Sequence, residues 1–208
     1  MRPISVLNVE GRIFFSCVHF RLAPFIVNNR YINIREQKAF IDGIAGCIEQ
    51  GTLVYEAIKY AIQHQSNITI AWLDLANAYG SVRHMLMAFA LAWYHVPFAF
   101  RNIMFTYYEG LSGQIDTSSW SSNRFWLAKG LFQGCTLSTD LFKISFPYIL
   151  DIHTVLANKY VFNMAKAEVR VLHPTFADDV ALATSSPTNC TAYIRIFHKG
   201  LKWSICFV

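Results

Sequence analysis

The spacing of apolar residues along the chain predicts two helices before residue 66. In the first, Pro24 is expected to end or bend the helix, because proline has no backbone N–H and its ring clashes with the preceding turn. The second is predicted over residues 49–65, and Asn67 breaks it. Its apolar positions recur at helical spacing. They are Leu53, Val54, Ala57, Ile58, Ala61 and Ile62.

The pattern then changes to strands and further helices. A β-branched, apolar run over residues 68–75 predicts a buried strand that carries Asp74. Helices are predicted over residues 81–94, capped by Ser81, and over 97–108, 141–156 and 189–203. Residues 112–118 and 124–128 predict two strands around a polar turn. Residues 169–176 and 180–184 predict a hairpin with Ala177, Asp178 and Asp179 as its turn.

This order of elements indicates the α+β class, with an antiparallel sheet packed against helices. Hydrophobic residues make up 54% of the 208 positions and charged residues 15%, so a membrane or lipid-binding protein is one alternative. The longest clean apolar run covers residues 85–93, which is far shorter than the roughly 18 residues that a membrane-spanning helix needs. No membrane partner is therefore expected.

Charge and cysteine content exclude few classes of function. The formal net charge of +5 and the pI near 9.0 fit a polyanionic partner. The five cysteines include no CxxC pair, which makes a zinc site improbable and favours reduced thiols in an intracellular protein. The first residues lack the apolar stretch of a signal peptide, so a nuclear or cytoplasmic location is expected.

Three acidic residues carry the candidate chemistry. Asp74 stands near the end of an apolar strand, where an unpaired buried carboxylate would be costly, and Asp178 and Asp179 stand together at a hairpin tip. Nucleotidyl transfer needs charge neutralisation and in-line positioning, which two divalent ions about 3.5–4 Å apart can supply. Adjacent aspartates are common in turns, so only the joint pattern predicts a metal site.

Five segments, in this order, resemble motifs of the reverse transcriptases of non-LTR (LINE-like) retrotransposons. The three that carry catalysis in that family are matched by LDLANAYGSVRH at residues 73–84, GLFQGCTLSTDLF at 130–142 and FADD at 176–179. Upstream, RPISVL at 2–7 and QKAF at 37–40 resemble elements of the fingers and of the approach to the palm. The chain differs from the family pattern at Gly80, where a second acid is frequent, and at Thr139, where proline is usual.

The resemblance implies the palm of a right-hand polymerase with partial fingers and no thumb. Residues 1–66 would form partial fingers and the helices that join them to the palm. Residues 67–208 would form the palm, with the catalytic hairpin and a truncated fourth motif. The sequence is therefore expected to be a reverse transcriptase domain that is truncated at both ends.

The resemblance also implies roles for individual residues. Asp74, Asp178 and Asp179 match the carboxylates that bind two Mg²⁺ ions, for which Mn²⁺ is a substitute. Leu75 would face a metal or the triphosphate through its backbone, and Tyr79 would crowd the sugar 2′-hydroxyl.

Three further residues match substrate contacts. Gln133 and Gly134 match a loop that contacts the incoming nucleotide and the template, and Arg2 matches the arginine that grips the triphosphate. By contrast, the tryptophans at positions 72, 93, 120, 126 and 203 are expected in the core and not as platforms for base stacking.

The function implied is RNA-directed DNA polymerisation with an RNA template, a DNA primer and deoxynucleoside triphosphates. Two alternatives remain open within the same fold. One is an RNA-dependent RNA polymerase, against which Tyr79 argues. The other is a catalytically incompetent retroelement remnant that lacks the thumb and full fingers.

Overall fold

The computed structural model describes residues 5–41, 43–157, 160, 162–164, 169–171 and 173–206, with the backbone alone at 150–157, 169–171 and 203–206. The chain divides into two compact units. Unit 1 comprises Met1–Phe20 and Asn77–Ser145, and unit 2 comprises Arg21–Ala76 and Phe146–Val208. These units do not identify fingers or palm, so the predicted division after residue 66 stays a prediction.

The chain is α+β with antiparallel strands, as the order of elements predicted. The helices are α1 (Val9–Asn28), α2 (Gly46–Gln63), α3 (Ala78–Ser81), α4 (His84–Trp93), α5 (Phe98–Glu109), α6 (Thr136–Ala157) and α7 (Pro187–Cys206). The strands are β1 (Thr69–Asp74), β2 (Ser112–Gly113), β3 (Phe125–Trp126), β4 (Phe162–Met164), β5 (Val169–Val171), β6 (Thr175–Phe176) and β7 (Asp179–Thr184).

A local side chain explains where helix α1 begins. The Asn8 side chain accepts a hydrogen bond of 2.9 Å from Gly11 N and so caps α1. The helix then continues through Pro24 to Asn28, so Pro24 does not end it, and the alternative that Pro24 bends it stays a prediction. Ser81 does not cap the following helix, because it is the last residue of α3, and Arg83 precedes α4.

Helix α2 buries a narrower face than its apolar pattern predicted. Its buried residues are Gly46, Gln50, Val54, Ala57 and Ala61. Ala57 and Ala61 pack in a core cluster with Phe162, Met164 and Ala183. Ile62, which was predicted on this face, is 74% exposed, because only one stripe of the helix meets the sheets.

The main sheet of unit 2 has the strand order β1–β7–β6, and both pairs are antiparallel. Strand β7 is central and buried from Val180 onward. Strand β1 lies on the outside and is only partly covered, with Trp72 72% exposed. The prediction of a buried strand over residues 68–75 was therefore wrong in its burial.

The predicted strand over residues 169–176 is two strands. β5 pairs with β4, whereas β6 pairs with β7, and Pro174 lies between β5 and β6 in sequence. The turn is also shorter than predicted, because Asp179 is the first residue of β7 and only Ala177 and Asp178 form the turn.

Unit 1 packs α4 against α5 and carries the β2–β3 hairpin. Its core includes Met87, Ala90, Leu91, Met104 and Leu141, each 1% exposed or less.

The tryptophans outside these cores were predicted wrongly. Trp72, Trp93, Trp120 and Trp126 are between 55% and 75% exposed, and the side chain of Trp203 lies outside the described residues. Among the helices in the described part of the chain, none is long and apolar enough to cross a membrane.

Candidate active site

Two of the three predicted carboxylates lie side by side in unit 2. Asp74, the last residue of β1, is the direct partner of Asp179, the first residue of β7. Residues opposite one another in an antiparallel pair have Cα atoms about 4.5–5.5 Å apart and side chains on the same face. Both side chains are exposed, so they can reach one ion from the solvent-facing end of the ladder.

Asp178 occupies the second position of the turn and is half-buried. Across the described ranges, no three His, Cys, Asp or Glu side chains form a group that could hold a metal ion. Mg²⁺ is usually bound by one or two carboxylates together with water and substrate phosphates. The Asp74–Asp179 pair fits that mode, and the assignment of all three aspartates as metal ligands stays a prediction.

A pocket of about 320 Å³ adjoins this pair. It is lined by Asp74 and Asp179, by Trp72 and Phe176, and by residues of α2. Trp72 and Asp74 are two residues apart on β1 and therefore project from the same face. The apolar side chains of the pocket thus lie next to the two carboxylates.

The backbone of the hairpin turn is held in an unusual conformation. Ala177 has a φ of 56°, a left-handed value that costs a residue with a Cβ roughly 1–2 kcal/mol. The Gln37 side chain donates to Ala177 O at 3.1 Å and accepts from Ala177 N at 3.0 Å. Sequence reasoning noted Gln37 only as part of a motif and missed this contact, because the two residues are 140 positions apart.

The predicted nucleotide-contacting loop lies in unit 1. We call residues 130–134 the glycine loop, because it begins at Gly130 (φ 101°) and ends at Gly134 (φ 110°). Gly130 N donates to Val82 O at 2.7 Å, and Gln133 O accepts from Ser5 N at 2.8 Å. A Cβ on Gly130 would lie 3.3 Å from the Cα and O atoms of Gly80. The loop is therefore fixed by its own glycines and by backbone contacts.

Tyr79 packs beside this loop. Its ring stacks on Phe142 with centroids 4.7 Å apart and planes 6° apart, and its carbonyl accepts from Leu131 N at 2.8 Å. Leu75 is half-buried and directly follows β1 in unit 2, and Arg2 lies outside the described residues. The substrate-binding roles of Tyr79, Leu75, Gln133, Gly134 and Arg2 stay predictions.

His84 supports the glycine loop from the start of α4. Its Nε2 lies 3.1 Å from Gly130 O, and its ring centroid lies 4.8 Å from that of Tyr108. Burial lowers the pKa of His84 below 6.5, and the hydrogen bond to Gly130 opposes this shift only in part. Burial also raises the pKa of Tyr107 to about 12.

A buried charged cluster occupies the first turns of α6. Lys143 Nζ lies 2.8 Å from Asp140 Oδ1, and His19 Nδ1 lies 2.5 Å from Asp140 Oδ2. The side chain of Asp140 is fully buried and that of Lys143 is 3% exposed. Since a buried carboxylate needs such partners, this cluster explains how the α6 segment of the motif tolerates an acid inside the core.

Comparisons with known proteins agree with the motifs. The family model described as reverse transcriptase (RNA-dependent DNA polymerase) matches residues 1–207. A Pol polyprotein from the type-2 retrotransposable element R2DM of Drosophila melanogaster is 30% identical over 69% of the chain. A Pol polyprotein from the type-1 retrotransposable element R2 of Nasonia vitripennis is 29% identical over 97%. The matched regions are 13% and 18% of these two relatives.

Proposed function

The chain belongs to the reverse transcriptase family, in its non-LTR retrotransposon branch, and from this premise we propose that it copies RNA into DNA by nucleotidyl transfer to a primer 3′-hydroxyl. Its substrates would be an RNA template, a DNA primer and deoxynucleoside triphosphates. The observation that carries the proposal is the pairing of Asp74 with Asp179 at the open end of the β1–β7 ladder.

The three aspartates would hold two Mg²⁺ ions, with Mn²⁺ as an alternative. When bound, such ions activate the attacking hydroxyl and neutralise charge on the leaving pyrophosphate. Asp74 and Asp179 contribute two carboxylates from rigid strands, and Asp178 contributes a third from the turn. Placing ligands on strands fixes their direction better than a loop would.

The remaining residues are assigned by resemblance. The backbone at Leu75 and the guanidinium of Arg2 would contact the triphosphate. Gln133 and Gly134 would contact the incoming nucleotide and the template. In the same assignment, unit 2 carries the catalytic part of a polymerase palm.

Tyr79 would select against a sugar 2′-hydroxyl. Its ring is stacked on Phe142 and cannot swing freely, which suits a side chain that must exclude one hydroxyl group. A strong preference for ribonucleotides in the assay below would instead indicate an RNA-dependent RNA polymerase. The alternative of an incompetent remnant has no structural observation in its favour.

The proposal is tested by primer extension on an RNA template with Mg²⁺ and deoxynucleotides. Asp179→Asn keeps the shape of the side chain and removes its charge, so incorporation should fall by at least about a hundred-fold. The matched control is Asp116→Asn, which changes an exposed acid in the β2–β3 hairpin and should leave the rate unchanged. Wild-type rates in both Asp179→Asn and Asp74→Asn would overturn the proposal.

A further inference from the structure

Residues 36–38 form a short support alongside β6. Thr175 N donates to Glu36 O at 2.8 Å, and Lys38 N donates to Thr175 O at 3.3 Å, which makes a parallel bridge. The Gln50 amide, from α2, donates to Glu36 O at 2.6 Å and to Thr175 O at 3.3 Å. The support is therefore fixed both to the strand that leads into the turn and to a helix.

Gln37, in the middle of this support, extends it to the turn itself. Its amide nitrogen donates to Ala177 O at 3.1 Å, and its amide oxygen accepts from Ala177 N and from Ala39 N, each at 3.0 Å. Gln37 is 2% exposed and Ala177 is 7% exposed. Both backbone polar groups of Ala177 are thus satisfied by one buried side chain and not by a neighbouring strand.

This contact lies one residue before Asp178. Ala177 has left-handed backbone, which a residue with a Cβ keeps only where its surroundings hold it. If the Gln37 amide were removed, the peptide groups on both sides of Ala177 could rotate. The directions of Asp178 and Asp179 would then change relative to Asp74.

We infer that Gln37 is a positioning residue for the acidic hairpin: it holds the Ala177 turn so that Asp178 and Asp179 keep the geometry that divalent-ion binding requires. This inference rests on the proposed function. Gln37 is buried and is not one of the predicted ligands, so it would act through the backbone of Ala177. Groups hydrogen-bonded directly to metal ligands change metal affinity by about 10–100-fold when they are removed, and Gln37, which acts one residue further away, is expected at the lower end of that range.

A purely structural role for Gln37 would predict a different result. Unit 2 contains another buried hydrogen bond at the end of β7 opposite the turn, in which Thr184 Oγ1 donates to Ser186 O at 3.0 Å. Thr184 is fully buried, so Thr184→Val removes this hydrogen bond and keeps the β-branched shape of the side chain. It is the matched control for a general loss of stability.

The experiment measures Mn²⁺ binding by the full chain, followed by the loss of the free-ion electron paramagnetic resonance signal. Gln37→Leu keeps approximate volume and removes both bonds to Ala177, so the dissociation constant should rise about ten-fold or more. Thr184→Val should lower the melting temperature and leave the dissociation constant unchanged. Gln37→Asn, one methylene too short to make both bonds, provides a polar variant if the leucine variant does not fold.

The outcomes separate this inference from the proposed function. If the Mn²⁺ site is lost in Asp179→Asn but keeps wild-type affinity in folded Gln37→Leu or Gln37→Asn, the positioning role is refuted and the proposed function stands. Equal weakening by Thr184→Val also refutes the positioning role. A wild-type chain without a Mn²⁺ site, or a site that persists in Asp179→Asn, contradicts the proposed function, and the inference fails with it.

Discussion

The glycine loop of unit 1 and the hairpin turn of unit 2 both contain residues with positive φ, and they stabilise this backbone by different means. In the loop, Gly130 and Gly134 adopt positive φ without a steric cost, because glycine has no Cβ. In the turn, Ala177 adopts a φ of 56° and is held by Gln37, 140 positions earlier in the chain. The shape of the loop is thus encoded locally, whereas that of the turn depends on a distant partner.

The largest effect on stability is expected when a glycine of the loop is replaced by a residue with a Cβ. Gly130→Ala should lower the free energy of unfolding by about 1–3 kcal/mol, because its φ of 101° is strained for alanine. The new Cβ would also press on the Gly80 backbone at 3.3 Å. Urea unfolding of the two proteins measures the difference.

The control for that change is Gly110→Ala in the same unit. Gly110 has a φ of −89°, and a Cβ there would meet Thr106 O at an ordinary 3.6 Å. This variant should be neutral or slightly stabilising, since alanine restricts the unfolded chain more than glycine does. If both variants lower the free energy of unfolding equally, the positive φ of Gly130 does not explain the sensitivity of the loop.

A smaller effect on stability is expected when the pH is lowered, because His84 contacts the loop. His84 lies against Gly130 O, and burial lowers its pKa in the folded chain below 6.5. Between the two pKa values the unfolded chain binds more protons, so the free energy of unfolding falls as the pH drops below about 6.5. Stability measured at pH 7.5 and at pH 5.5 should show this loss.

His84→Gln should remove part of that pH dependence, because the group that titrates is gone. His198→Gln, at an exposed position of α7, is the matched control and should leave the pH dependence as in the wild type. A profile for His84→Gln that is identical to the wild-type profile would contradict the role of burial at His84.

The smallest effect on stability is expected when Ala177 of the turn is replaced by glycine, the residue that provides positive φ in the loop. Ala177→Gly removes the steric cost of the left-handed backbone but increases the freedom of the unfolded chain, so the two contributions, each about 1 kcal/mol, nearly cancel. Ala92→Gly, at an exposed position of α4, should cost about 1 kcal/mol and serves as the reference. Equal losses in thermal unfolding would show that Ala177 carries no strain.

The sequence predicted the elements that depend on neighbouring residues. The helical periodicity placed α2, α5 and α7 within a few residues, and the strand patterns predicted the β6–β7 hairpin. The antiparallel α+β class followed from the order of these elements. Such signals are local, because apolar spacing and turn residues act over a few positions.

Burial and long-range contacts were beyond the reach of the same signals. The apolar run that contains Trp72 is compatible with a central or an outer strand, and composition alone cannot distinguish them. For the site, the sequence named Asp74 and Asp179 through motifs, but their direct pairing depends on the register of the sheet. The role of Gln37 depends on the packing of the support against β6, which no local pattern encodes.

The position of β1 has a consequence for handling the protein. β1 pairs with β7 on one side, and no other described strand pairs with it, so β1 is an edge strand of this sheet. Strands left in this state can add a strand from a neighbouring molecule and so promote self-association. A charged substitution at the end of β1 far from the aspartates, such as Thr69→Lys, is therefore a rational way to keep concentrated samples monodisperse.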